Sequence, residues 1–416
     1  MPAGKKILLV AYYFPPLGMG GVGRPLNLFQ YLPEFGYEVE VLTVKDILYP
    51  QYDKTLLSPT DKSRVHRTGS LDPSRLLHLM GKRAQARSGL SGSRRPLPLY
   101  LPDPKRGWNP FAWRKARRLI KMGEYAAVIT TVPPPSSLLL GLRLKTRFDI
   151  PWVADFRDYW FLMPIDREYG PGTARDYAVN LQKETVHRAD AIVTVNRHIA
   201  AYLGRGEVIH NAASDELMES WRRAKPESSR FTVGALGTFN DLFPFEPLMR
   251  LASDLRDKLN LANDAFSIRH VGHVDDSMRR LCDKYNLKEF VEFGGYCPRT
   301  EAIERLAGVD LLYLAVNPRD SCHVLPGRLF DYLISGKPIL GLVAADSEVA
   351  DLINAGPSGR SFDPDDLDGA AVYLQGMYEK KRSGDISGNI GAYDYKQFTG
   401  QALARKYASL LDGLLK

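Results

Sequence analysis

The stretch Val324–Leu340, VLPGRLFDYLISGKPIL, decides how this chain is read. Pro326 and Gly327 open a helix through Arg328, Leu329, Phe330, Asp331, Tyr332 and Leu333, and Gly336 stops it. Lys337-Pro338 then leads into the apolar run Ile339–Val343. Loop, helix, glycine and strand in that order predict an α/β half-unit. The spacing places one cation, Arg328, and one carboxylate, Asp331, at the start of the helix. A helix N-terminus offers unpaired backbone N–H groups and a partial positive charge, which suit a phosphate. Arg328 adds a forked donor matched to phosphate oxygens, and Asp331 is placed to accept from sugar hydroxyls. Together these are the requirements of a nucleotide-sugar site.

Working outward, the same alternation recurs. Strands are expected at Lys6–Tyr13, Glu38–Val44, Ala127–Thr131, Trp152–Asp155, Ala191–Val195 and Glu207–His210, with helices between them. Residues 50–105, rich in Pro, Ser, Gly and Arg, are expected to be irregular. Ser214–Ser229 is polar and has no strand character, as in a linker or interdomain helix. A second series follows, with strands at Arg230–Leu236, Phe266–Val271, Val291–Phe293, Leu311–Ala315 and Ile339–Val343, and an amphipathic helix closes the chain at Gln397–Leu415. Strands alternating with helices imply parallel, doubly wound sheets. Two Rossmann-like domains would bind ligands at the carboxyl ends of their strands, in the cleft between them.

A length of 416 residues exceeds one ordinary core and fits two domains. Hydrophobic content of 44% and charged content of 25% are those of a globular protein. The first apolar run, Ile7–Tyr13, suits a buried strand rather than an export signal, and no segment approaches the ~20 apolar residues of a membrane span. Three cysteines without metal or pairing spacing fit a reducing cytosol. The net charge of +8 is concentrated between Lys82 and Lys121, where Asp103 is the single carboxylate and Tyr100, Trp108, Phe111 and Trp113 are interleaved. Basic residues with interfacial aromatics predict contact with an anionic membrane surface. The alternatives are a solvated basic face and nucleic acid, and no nucleic-acid fold signature accompanies the charge.

Two further stretches carry chemistry. Gly18-Met19-Gly20-Gly21-Val22-Gly23-Arg24 follows a strand and opens a helix, and glycines allow close backbone approach to a ligand. Its GxGxxG spacing raises a dinucleotide site, but Phe14-Pro15-Pro16-Leu17 lies where a tight turn is required. A plain strand–helix turn is the third option. Asp155-Phe156-Arg157-Asp158 begins at the end of an apolar strand. Asp155, Arg157 and Asp158 are expected either to orient acceptor hydroxyls and take up a proton, or to form a structural ion cluster. His270 and His273 lie near Asp275 and Asp276 without a metal spacing, and Asp363-Pro364-Asp365-Asp366 reads as a helix cap. No metal site is expected.

With these motifs in place the chain resembles glycosyltransferase family 4, whose members have the GT-B fold. YYFPPLGMGGVGRPLNLFQYLPEFGYEVEVLT (residues 12–43) is similar to the family's opening strand, glycine loop and first helix. TTVPPPSSLLLGLRLK and PWVADFRDYW resemble its mid-domain block, and ADAIVTVNRHIAAYL and VIHNAASDE the end of its first domain. GALGTFND, FGGYCPRTEAIERLAGVDLLYLAV and LPGRLFDYLISGKPIL resemble the donor half. The resemblance implies an acceptor domain over residues 1–215, a donor domain over 216–395, and a terminal helix, 396–416, returning to the first. It implies donor contacts from Gly20, Gly21, Arg24, Gly237, Thr238, Arg328, Leu329 and Asp331, and a leaving diphosphate met by Arg328 and Lys337 without an obligatory metal or other cofactor. Many members carry two glutamates eight positions apart around the key helix. Here those positions are His323 and Asp331, so His323 joins the catalytic candidates.

The expected activity is sugar transfer with retention, from a nucleoside-diphosphate sugar to a hydroxyl of a saccharide or lipid-linked acceptor, in cell-surface polysaccharide assembly. The expected place is cytoplasmic, on the inner face of the membrane. Two other functions stay open: a nucleotide-sugar epimerase on the same scaffold, and a degenerate transferase that scaffolds an assembly complex.

Overall fold

The computed structural model describes residues 4–18, 21–57, 59–81, 101–157, 172–223, 230–319, 324–356, 359–385 and 394–416. The chain divides into two compact units, Met1–Ala212 with Gly400–Lys416, and Ala213–Thr399.

The first unit holds a seven-stranded parallel sheet, in the order β3-β2-β1-β4-β5-β6-β7 among the described residues. Its strands are β1 (Lys5–Val10), β2 (Tyr37–Val44), β3 (Val65–Thr68), β4 (Tyr125–Val132), β5 (Trp152–Phe156), β6 (Ala191–Thr194) and β7 (Glu207–Val208). The helices are α1 (Gly23–Tyr31), α2 (Pro73–Leu79), α3 (Asn109–Met122), α4 (Ser136–Phe148), α5 (Thr173–Arg188) and α6 (Arg197–Leu203). β1 lies inside the sheet between β2 and β4, and its Ile7, Leu8, Leu9 and Val10 are wholly buried, as a strand covered by helices on both faces requires. Segment 50–105 was expected to be irregular, yet it supplies β3 and α2. β3 runs parallel to β2, Val41 opposite Val65 through Val44 opposite Thr68. Its four residues are half-buried, as suits a short edge strand.

The second unit holds a six-stranded parallel sheet, β10-β9-β8-β11-β12-β13. The strands are β8 (Phe231–Leu236), β9 (Phe266–Val271), β10 (Val291–Phe293), β11 (Leu311–Ala315), β12 (Ile339–Leu342) and β13 (Arg360–Phe362). Its helices are α7 (Asp215–Arg223), α8 (Glu246–Leu259), α9 (Asp276–Lys284), α10 (Arg299–Leu306), α11 (Gly327–Ser335), α12 (Glu348–Ala355) and α13 (Leu367–Ser383). The supposed linker at Ser214–Ser229 begins as α7, whose Leu217 and Trp221 are buried in this unit's core with Phe330 and Leu333. Gly336 ends α11 in the left-handed conformation, φ 67°, where glycine carries no Cβ penalty.

The last helix, α14 (Gly400–Leu414), groups with the first unit. Leu403, Ala404, Tyr407 and Leu411 are buried with Leu28 and Phe29 of α1, and Tyr37 donates to the Asp412 carboxylate at 2.6 Å.

Candidate active site

In the first unit the chemistry gathers at the carboxyl ends of β1, β4 and β5, where parallel sheets place their ligand sites. Asp155 is the penultimate residue of β5 and is fully buried. Arg24, in the first turn of α1, is 3% exposed and donates to Asp155 through Nε (3.1 Å to each oxygen) and Nη2 (2.9 Å). Its Nη1 reaches the Ile209 carbonyl at 2.8 Å and the His210 carbonyl at 3.0 Å, and Nη2 reaches the Tyr407 hydroxyl at 2.9 Å. A guanidinium has five N–H donors, and this set uses all of them. Burial opposes the Arg24 charge, but Asp155 and Tyr407 outweigh it and leave its pKa raised. The expectation that Arg24 adds charge to a donor site and that Asp155 meets the acceptor is therefore corrected. The two form a sealed ion pair that fastens α1, β5, the segment after β7 and α14.

Arg157 sits one residue beyond β5 and is 5% exposed. It donates to the carbonyls of Val132 (3.2 Å), Pro133 (2.8 Å) and Gly21. It is thus a tie between the glycine loop and the end of β4. Gly20, Asp158 and His323 lie outside the described residues.

The second unit brings together Gly237, Thr238 and Arg328. Gly237 follows β8 with φ +94° and donates to the Val271 carbonyl at 2.8 Å. Gly272 follows β9, and a Cβ there would lie 2.2 Å from the Gly237 oxygen, so only glycine lets these two loops touch. His270 closes the same contact, its Nε2 at 2.7 Å from that oxygen. Burial lowers the His270 pKa to about 4. It is a neutral donor to the loop, and the described residues hold no group of three metal-binding side chains.

Arg328, the second residue of α11, donates to the carbonyls of Leu236 (2.5 Å) and Thr238 (2.9 Å). Its guanidinium carbon lies 4.6 Å from the Phe243 ring centroid and 5.1 Å from that of Phe239. Burial lowers its pKa, but two carbonyls and two ring faces hold the charge in place. Two of its five donors are taken, which leaves three for a ligand among the described residues. Among the described residues no side chain caps the α11 N-terminus, and none stands within 4 Å of where a Gly327 Cβ would be. A fixed guanidinium beside uncapped N–H groups is an anion site in waiting.

Three expected contacts are corrected here. Leu329 points into the core and is fully buried. Asp331 is 2% exposed and accepts from Arg299 rather than standing open to ribose hydroxyls, and burial raises its pKa. Lys337 follows α11 and donates to the Val309 carbonyl at 2.8 Å, at the amino edge of the sheet and away from Arg328. Arg299, Gly272, Phe239 and Phe243 belong to the constellation and were not singled out from sequence, and His270 was weighed there only as a metal ligand. Glycines just after two apolar strands were the available signal. The aromatic anchors expected in the basic segment are also revised: Trp108 is fully buried with Nε1 on Thr68 at 2.7 Å, and Trp113 lies beneath Arg143 at 4.1 Å.

Residues 20–212 match the family described as a glycosyl transferase 4-like domain. The match runs from the glycine loop to the end of the first unit's sheet and takes in none of the second unit. No curated protein matches the sequence. Among solved structures, sucrose-phosphate synthase from Thermosynechococcus elongatus is similar at TM-score 0.67 and 14% identity, covering 99% of both chains. Anabaena HepE in complex with UDP is similar at 0.62 and 13%, covering 98% of this chain and 100% of that one. The catalytic domain of starch synthase IV from Arabidopsis thaliana, bound to ADP and acarbose, matches at 0.62 and 11%, covering 99% of both. The chain thus has the GT-B fold, two Rossmann-like parallel-sheet units. No helix among its described residues is long and apolar enough to cross a membrane.

Proposed function

We propose that this chain is a glycosyltransferase that moves a sugar from a nucleoside-diphosphate sugar to a hydroxyl of a saccharide or lipid-linked saccharide acceptor. The anomeric configuration is retained, and the work is done at the cytoplasmic face of an anionic membrane during cell-surface polysaccharide assembly. The observation that carries the reading is the second unit's anion cradle, the uncapped α11 N-terminus with Arg328 fixed on the Leu236 and Thr238 carbonyls. Developing charge on a leaving diphosphate is stabilised by donors already in place. The three remaining Arg328 donors and the helix N–H groups supply that charge, so the proposed reaction needs no divalent metal. Support for the donor class comes from HepE, solved with UDP and with UDP-glucose, and from Staphylococcus aureus TarM, solved with UDP.

Because Asp155 is sealed by Arg24, the acceptor proton needs another base. In the proposed course the acceptor oxygen bonds to the anomeric carbon on the face the diphosphate leaves. The bond from that carbon to the phosphate oxygen breaks, and the acceptor proton passes to the departing phosphate.

The test is thermal-shift binding of UDP, GDP, CMP, dTDP and their common sugar conjugates. A ligand that binds only the folded state raises the melting temperature by mass action. A selective rise that Arg328→Ala abolishes is expected. No rise with any nucleotide overturns the donor assignment, and turnover of the sugar nucleotide without an added acceptor would point to an epimerase.

A further inference from the structure

We propose that α2 is the apolar edge of a membrane-docking surface, with its leucines entering the acyl boundary while the cations of α3 meet anionic phosphate headgroups. The proposal rests on the membrane setting given above and adds the mode of attachment.

Exposed apolar side chains are unevenly spread. Of the nine large ones exposed among the described residues, six lie between Leu71 and Met122: Leu71, Leu76, Leu79, Met80, Phe111 and Met122. α2 contributes no buried residue to the fold. It is held by its cap instead. Asp72 is fully buried, takes the Tyr12 hydroxyl at 2.8 Å and caps the Arg75 N–H at 3.1 Å. Leu79 and Met80, 65% and 70% exposed, are therefore not used in folding. A short helix fixed at one end with its leucines in solvent needs an apolar phase to face.

The adjoining helix states what charge that phase carries. On α3, Arg114, Arg117, Arg118 and Lys121 follow the i, i+3, i+4, i+7 spacing of one face, opposite the buried Ala112 and Ala116. Phe111 and Met122 flank the row. The two helices abut at their starts: the Leu71 N–H donates to the Gly107 carbonyl at 3.1 Å, and the Phe111 ring lies 3.5 Å from where a Gly69 Cβ would stand. From Pro73 to Gly123 the sequence has thirteen Lys and Arg and one carboxylate, Asp103. Asp103 is turned inward onto the Ser136 N–H at 2.6 Å. Exposed leucines beside a cation row, in a segment whose one carboxylate is turned inward, match an anionic lipid surface, where apolar insertion and headgroup attraction add. Nucleic acid would account for the cations and leave the leucines unexplained.

The test is co-sedimentation of the full chain with phosphatidylcholine vesicles, with and without phosphatidylglycerol, at low and high salt. Wild type should bind the anionic vesicles, and part of that binding should survive high salt. Leu76→Ser/Leu79→Ser/Met80→Ser should weaken it about tenfold or more with an unchanged melting temperature, because none of the three is buried. Arg114→Glu/Arg117→Glu/Arg118→Glu should abolish it. Equal binding by wild type and the triple serine variant overturns the α2 anchor while leaving the membrane setting intact. No binding by wild type overturns both. As an independent readout, an environment-sensitive fluorophore on Met80→Cys, with Cys297 and Cys322 changed to Ser, should shift to the blue on anionic vesicles, and no shift overturns insertion.

Discussion

Each unit sets arginine against aspartate near the carboxyl edge of a parallel sheet, and the two sets differ in what they leave unspent. In the first, Arg24 and Asp155 are 3% and 0% exposed, and every guanidinium donor ends on a carboxylate, a carbonyl or Tyr407. In the second, Asp331 is taken by Arg299, and Arg328 is half-buried with three donors unused among the described residues. Residue type alone makes the two look alike. Counting donors separates a clamp from a site: a charge whose hydrogen bonds are complete holds the fold, and one with bonds to spare can hold a ligand.

The sharpest way to break this contrast is to unpair the clamp. Asp155→Ala leaves a buried guanidinium without its counter-charge, which costs about 3–5 kcal/mol. Urea denaturation should show that loss. The double variant Arg24→Met/Asp155→Leu, which removes both charges, should recover part of it. If Asp155→Ala keeps wild-type stability and loses turnover, the pair is catalytic and the contrast fails.

The second unit's cradle can be probed through its histidine. His270 has its ordinary pKa of 6.5 lowered to about 4 by burial, and its Nδ1 is buried without a hydrogen bond. As pH falls from 6.5 toward 4 the unfolded chain binds a proton that the folded chain refuses. Stability is therefore lost across that window, by roughly 3 kcal/mol at its foot. Asp103 acts in the opposite sense, because burial raises its pKa from 3.8 to about 6 and the folded chain keeps its proton longer. The measurement is thus a difference between wild type and His270→Phe, which should lose less stability on acidification. Parallel pH curves would show that His270 is not held neutral.

Gly272→Ala tests the contact that His270 closes. The new Cβ would lie 2.2 Å from the Gly237 oxygen at a backbone φ of +154°, so the loops after β8 and β9 must separate. A cost on the order of 1–3 kcal/mol is expected, together with weaker nucleotide binding. An unchanged melting temperature with full binding would mean the loops are not a unit.

How much of this could be seen in the sequence follows from how local each feature is. α11 was legible because a Pro-Gly start and a Gly336 stop frame one amphipathic turn pattern, and Ile339–Leu342 follows as a buried strand. β3, VHRT, and β13, RSF, were missed because three or four half-polar residues are too few to show a period of two. α2 escaped because it buries nothing, although Asp72-Pro73 was a readable cap. The pairings were beyond reach for another reason. Arg24 and Asp155 stand 131 positions apart, and spacing says nothing about which of two candidate charges will be consumed by the other.

The finest test keeps the charge and changes its shape. Arg328→Lys retains a cation at the α11 N-terminus but gives up the planar fork that reaches Leu236 and Thr238 while lying against Phe239 and Phe243. An ammonium cannot span both carbonyls and still present donors in a fixed plane. If the second unit's advantage over the first is spare donors held in place, nucleotide affinity should fall about tenfold, near 1.4 kcal/mol. Arg328→Ala should abolish it. Lysine binding as tightly as arginine would show that net charge alone suffices, and the distinction between the two arginine–aspartate sets would then rest on exposure and not on preorganised donors.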